Sequence, residues 1–109
     1  MKKTNWHFRK NRKRKMGSKK ISGHPALVVG ETDDGSSYYN IDLTKNKKRG
    51  YHKNVSIHNP QNWEEESFLR DDISLDPKEY LNIVLKDYKL CPEDINKIWD
   101  IKKRIPTRR

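Results

Sequence analysis

His24-Pro25-Ala26-Leu27-Val28-Val29-Gly30-Glu31, then Thr32-Asp33-Asp34-Gly35-Ser36-Ser37, then Tyr38-Tyr39-Asn40-Ile41-Asp42-Leu43-Thr44 is the stretch on which the fold turns. Its first part is short, apolar and β-branched, which predicts a strand over 26–31. Pro25 biases His24 toward extended geometry. Gly30 is an isolated strand glycine, the sign of a bulge or a close backbone approach. The middle part is a turn cluster with an Asp-Gly signal. The last part alternates with period two. Tyr39, Ile41 and Leu43 fall on one face, and Tyr38, Asn40 and Asp42 on the other, which predicts a half-buried strand antiparallel to the first.

Toward the C-terminus, residues 45–53 read as a basic loop. Val55 and Ile57 then alternate in a short third strand over 54–58, which Asn59-Pro60 ends. Trp63 and the run Glu64-Glu65-Glu66 read as another loop, and Phe68-Leu69 as a fourth strand. The period then changes. Asp76 is a good N-cap, Pro77 suits the first helical position, and Glu79 follows. Tyr80, Leu81, Val84, Leu85 and Tyr88 recur at helical spacing, which predicts a helix over 77–88. A second start signal, Cys91-Pro92-Glu93-Asp94, leads into an apolar stripe of Ile95, Ile98 and Trp99. Lys102, Lys103 and Arg104 favour the C-terminal end of that helix.

Strands first and helices last is the pattern of an α+β domain. The expected architecture is a small, strongly curved antiparallel sheet or SH3-like barrel, followed by two short C-terminal helices. The expected core sets Tyr80, Leu81, Val84, Leu85, Ile95, Ile98 and Trp99 against Leu27, Val29, Tyr39, Ile41 and Leu43.

Toward the N-terminus the character changes. Lys2, Lys3, Arg9, Lys10, Arg12, Lys13, Arg14, Lys15, Lys19 and Lys20 are basic, and nothing in residues 1–20 is acidic. Those ten charges equal the formal net charge of +10 for all 109 residues. The division expected is a disordered basic arm over 1–20 and a single electrically neutral domain over 21–109. Self-repulsion opposes compaction of such an arm, and a polyanion is its natural partner.

The arm's Lys and Arg side chains are therefore candidates for phosphate contact, with counterion release as the driving force. Trp6 and Phe8 are candidates for stacking on bases. The 45–53 segment adds Lys45, Lys47, Lys48, Arg49 and Lys53, with Tyr51 and His52 among them. Among the histidines, His52 and His58 are candidates for general acid or base. No two histidines have metal-ligand spacing and Cys91 has no second cysteine, so neither a metal nor a cofactor is expected. A single thiol, no apolar run of membrane-spanning length and no secretory signal point to a cytoplasmic protein without membrane contact.

The pair formed by Pro25-Ala26-Leu27-Val28-Val29-Gly30-Glu31 and Tyr39-Asn40-Ile41-Asp42-Leu43-Thr44 resembles the core hairpin of the PemK/MazF plasmid-maintenance toxins. The resemblance covers residues 23–44. It implies an SH3-like barrel with added helices and metal-independent RNA cleavage. Thr44 matches a position near that family's active site, and Arg49 is a nearby arginine. His24 stands where the family carries an arginine before the proline, and the family's opening strand is replaced by the basic arm.

Two function classes follow, with a third beside them. The first is a nucleic-acid-binding accessory protein of bacterial mobile-element or phage type, with RNA preferred to DNA. The second is a metal-independent endoribonuclease toxin using His52 or His58, Arg49 and Thr44, with an acidic antitoxin-like protein as partner. The third is a small inhibitor that binds another protein's surface.

Overall fold

Ala26, Leu27, Val28 and Val29 leave no polar face for water, so a strand built from them must be covered on both sides. In the computed structural model, which describes residues 5–10 and 23–104, that strand lies inside the sheet. Strand β2 (Gly23–Glu31) is flanked by β1 (Asn5–Lys10) and β3 (Ser37–Thr44), both antiparallel to it. Its register with β3 slips between Val28 and Gly30, which meets the first of the two readings of the strand glycine, a bulge or a close backbone approach. The far edge of β3 is divided between two partners. Residues 37–40 pair with β8 (Ser74–Pro77), and Leu43 and Thr44 pair with β7 (Asn62–Leu69). Strand β6 (Val55–Asn59) then pairs with β7, and β9 (Ile83–Val84) pairs with the outer edge of β1. Strands β4 (Lys48–Arg49) and β5 (His52–Lys53) form a separate two-residue hairpin. One helix, α1 (Ile95–Lys102), ends the described chain, so the domain is a small antiparallel sheet with a C-terminal helix.

The core has two parts because β2 is covered on both faces. Leu27 and Val29 join Trp6, Ile41, Ile57, Leu69, Ile98 and Ile101 in the larger cluster. Tyr39, Leu43 and Val55 pack against it, as the alternation predicts. Ala26 and Val28 meet Leu81 on the opposite face, with Tyr38 beside them. Asn40 and Asp76, also on that polar register, are fully buried, and the Asn40 amide donates to Asp76 Oδ2 at 2.9 Å. At the rim, Lys78 Nζ donates to Glu31 at 2.6 Å, and this hydrogen bond raises the lysine above its ordinary range. The stability from that pair is present at lower pH and is lost as pH rises through the raised value.

Three expectations are corrected. First, part of the basic arm is a core strand. Asn5–Lys10 pairs residue for residue with 23–28, and Trp6 is buried with its ring 5.9 Å from that of Tyr88. The apolar bulk of Trp6 outweighs the neighbouring charges. Second, the helix expected over 77–88 does not form. Asp76 is a buried residue of β8, a 3-10 turn occupies Lys78–Leu81, and Ile83–Val84 is a strand. Leu81 goes to one face of the sheet, whereas Leu85 and Tyr88 go to the other. A single helical stripe cannot serve two opposite faces. Third, Trp63 and Glu64-Glu65-Glu66 are not a loop but lie within β7. No ladder joins β6 to β9 among the described residues.

The second expected helix forms over a shorter span, with a shifted buried face. Ile98 and Ile101 are buried, whereas Ile95 and Trp99 are about two-fifths exposed. No helix among the described residues is long and apolar enough to cross a membrane.

Candidate nucleic-acid interface

Strand register fixes where the basic segments leave the sheet. Lys10 pairs with Gly23, and Ala26 pairs with Asp42. The C-terminal end of β1, the start of β2 and the C-terminal end of β3 therefore lie at one end of the sheet. Residues 11–22 connect the first two of these strand ends, and residues 45–53 follow the third. The run Arg12, Lys13, Arg14, Lys15, Lys19 and Lys20 is thus tethered to the sheet at both sides. Those six residues, with Lys2 and Lys3, lie outside the described residues.

The 45–53 segment is a tight hairpin. Gly50 takes φ +60°, a left-handed conformation that glycine adopts without steric cost. Arg49 and His52 are cross-strand partners, as are Lys48 and Lys53. Thr44 Oγ1 accepts the N–H of Asn46, and Asn54 donates from its backbone to the Lys47 carbonyl and from its amide to the Asn46 carbonyl. These bonds fix the base of the hairpin to the sheet. Its tip stands in solvent, and Tyr51 is fully exposed. Lys45, Lys47, Lys48 and Lys53 are exposed as well.

Three lysines elsewhere on the domain have a carboxylate partner. Lys78 pairs with Glu31, Lys103 with Asp100, and Lys97 stands 3.9 Å from Asp94. Among the described residues no carboxylate pairs with Lys45, Lys47, Lys48 or Lys53. Loops on a rigid sheet are common carriers of binding function.

The aromatic candidates separate. Tyr51 is available for stacking, whereas Trp6 is committed to the core. Phe8, Arg9 and Lys10 sit in β1, with Phe8 opposite both Pro25 and Ile83.

Of the two histidines named for cleavage, only His52 lies in the hairpin, opposite Arg49, and His58 stands elsewhere. His52 Nε2 lies 3.8 Å from Asp71 Oδ2, and Arg104 Nη1 donates to Asp71 Oδ1 at 2.6 Å. A cleft of about 350 Å³ is lined there by His52, Asn54, Arg70, Asp71 and Asp72. His58 faces different partners. Its backbone N–H donates to Asp94 Oδ2 at 2.8 Å, its Nδ1 is 3.0 Å from Asp94 Oδ1, and its Nε2 is 3.4 Å from Glu93. Thr44 is occupied in the hairpin base. No hydrogen bond or ion pair joins Thr44, His52 and His58 to one another among the described residues.

Sequence spacing missed the setting of His58. Cys91, Glu93 and Asp94 are remote from it in the chain, and only the packing of the C-terminal turn on β6 brings them together. Compared with family models, curated proteins and solved structures, the chain matches none of them.

Proposed function

We propose that the protein is a nucleic-acid-binding accessory protein of mobile-element or phage type, and that it binds RNA in preference to DNA. One observation carries this reading. Two acid-free basic segments, 11–20 and 45–53, are attached at the same end of the sheet. Ligand phosphates at that end would meet Lys and Arg from both segments, and counterion release would supply most of the affinity. Tyr51 supports the preference for RNA. Sequence-specific RNA recognition targets unpaired bases, which an exposed aromatic ring can stack upon.

A metal-independent ribonuclease of PemK/MazF type is the second reading, and one observation favours it. His52 lines a cleft together with Asp71, whose carboxylate is 3.8 Å from its Nε2. A carboxylate at that distance favours a protonated imidazole electrostatically, without a hydrogen bond to it. This reading also calls for an SH3-like barrel, an active-site role for Thr44 or Arg49, and an acidic antitoxin-like partner.

Incubating the whole protein with end-labelled single-stranded RNA, with and without EDTA, tests both. Retarded but intact RNA is expected. Cleavage that persists in EDTA favours the ribonuclease. No retardation near physiological salt overturns both readings and leaves the binding of another protein's surface.

A further inference from the structure

His58, Cys91 and Glu93 each place a ligand atom within 4.8 Å of the others. They reach that position from two parts of the fold. His58 comes from β6, and the other two come from the turn that starts α1. Pro92 fixes the backbone just after Cys91, and the Asp94 N–H closes the turn onto the Cys91 carbonyl at 2.9 Å. Cys91 is buried and Glu93 is exposed. The cluster therefore has a fixed inner thiol and an outer carboxylate that can turn toward a ligand.

Asp94 gives this cluster the character of a coordination site. Its side chain is fully buried, and it holds both the backbone N–H and Nδ1 of His58. A carboxylate on one imidazole nitrogen fixes the tautomer and ring orientation. That arrangement leaves Nε2 to coordinate, and Nε2 is the nitrogen already beside Glu93. The His58 side chain is about a third exposed and that of Glu93 is mostly exposed, so the site opens to solvent.

We propose that His58 Nε2, Cys91 Sγ and a Glu93 carboxylate oxygen bind a zinc ion, with Asp94 as the positioning residue behind His58. The donor set decides the metal. One thiolate and one imidazole favour zinc over magnesium or calcium, which take oxygen ligands. Bond lengths of about 2.3 Å to sulfur and about 2.0 Å to nitrogen bring tetrahedral ligand atoms to roughly 3.5 Å apart. Side-chain rotations, chiefly of Glu93, make up the difference. On binding, the Cys91 thiol releases its proton to solvent and bonds the metal as thiolate. A water completes four-coordination. The ion would clamp the C-terminal helix onto β6, a role independent of the nucleic-acid reading.

The test uses the whole protein, freed of metal by chelator dialysis and titrated with cobalt(II) as a spectroscopic stand-in for zinc. Binding at one equivalent is expected, with a thiolate-to-cobalt charge-transfer band and the intense visible bands of tetrahedral cobalt. Zinc should bleach both, and magnesium neither. Glu93→Gln alters an exposed side chain and should weaken cobalt binding at least tenfold with the circular dichroism unchanged. Asp94→Asn should weaken it about 10–100-fold through His58. Cys91→Ser should abolish the charge-transfer band. The proposal is overturned if the wild-type protein shows no charge-transfer band, or if folded Glu93→Gln protein binds cobalt as tightly as wild type.

Discussion

His58 and Asp94, 36 residues apart in sequence, are joined twice, through the His58 backbone N–H at 2.8 Å and its Nδ1 at 3.0 Å. This pair ties β6 to the start of the C-terminal helix. Removing the carboxylate leaves a partly buried N–H without its acceptor, which costs about 1–3 kcal/mol. Asp94→Ala should therefore lower stability in urea by that order. Glu93→Ala, at an exposed position, should not. Equal midpoints for Asp94→Ala and wild type would show that the pair holds nothing together.

Trp6 carries the main revision of the N-terminal region. A large buried aromatic truncated to alanine costs about 3–5 kcal/mol. Trp6→Ala should lower the unfolding midpoint by that much, and deletion of residues 1–10 should prevent folding, since it removes a strand paired on both edges. A wild-type midpoint in either variant would return residues 1–10 to the status of a free arm.

Leu81 and Ile95 form a matched comparison. Leu81 is fully buried on the smaller core face, whereas Ile95 is about two-fifths exposed. Leu81→Ala should cost about 2–5 kcal/mol, and Ile95→Ala a small fraction of that. The reverse order would restore the helical stripe expected over 77–88 and 95–99.

Legibility followed the reach of each signal. Residues 24–44 declare themselves because turn chemistry, alternation and an apolar run agree locally, and these residues form β2, the turn and β3. The alternation of Val55 and Ile57 made β6 legible as a strand for the same reason. β1 was hidden by its charges. Trp6 and Phe8 carry β-propensity, but the surrounding lysines and arginines argue for a solvated arm, and only pairing with β2 decides the matter. The 77–88 segment failed differently. Its spacing is helical, but the two faces of the sheet compete for its apolar residues, and that competition is tertiary. The meeting of His58 with Cys91 and Asp94 has no local signature at all.

Tyr51 and His52 separate stacking from proton transfer. Tyr51→Ala should weaken binding to single-stranded RNA by about 1–3 kcal/mol if a base stacks on the ring. His52→Ala should change binding little. If the protein cleaves RNA, His52→Ala should slow cleavage about 10²–10⁴-fold. Full RNA affinity in Tyr51→Ala would remove the hairpin tip from the interface.

The salt dependence of RNA affinity tests the central claim most directly. Fluorescence anisotropy with labelled single-stranded RNA, over a range of salt concentrations, compares the wild-type protein with one carrying Lys47→Ala, Lys48→Ala and Arg49→Ala together. Each phosphate contact contributes about 0.7 to the log–log slope on single strands. The account predicts tight, steeply salt-dependent binding by the wild type, and a slope shallower by up to about 2 in the triple variant, with its unfolding midpoint unchanged. Identical affinity and slope in the two proteins would contradict it.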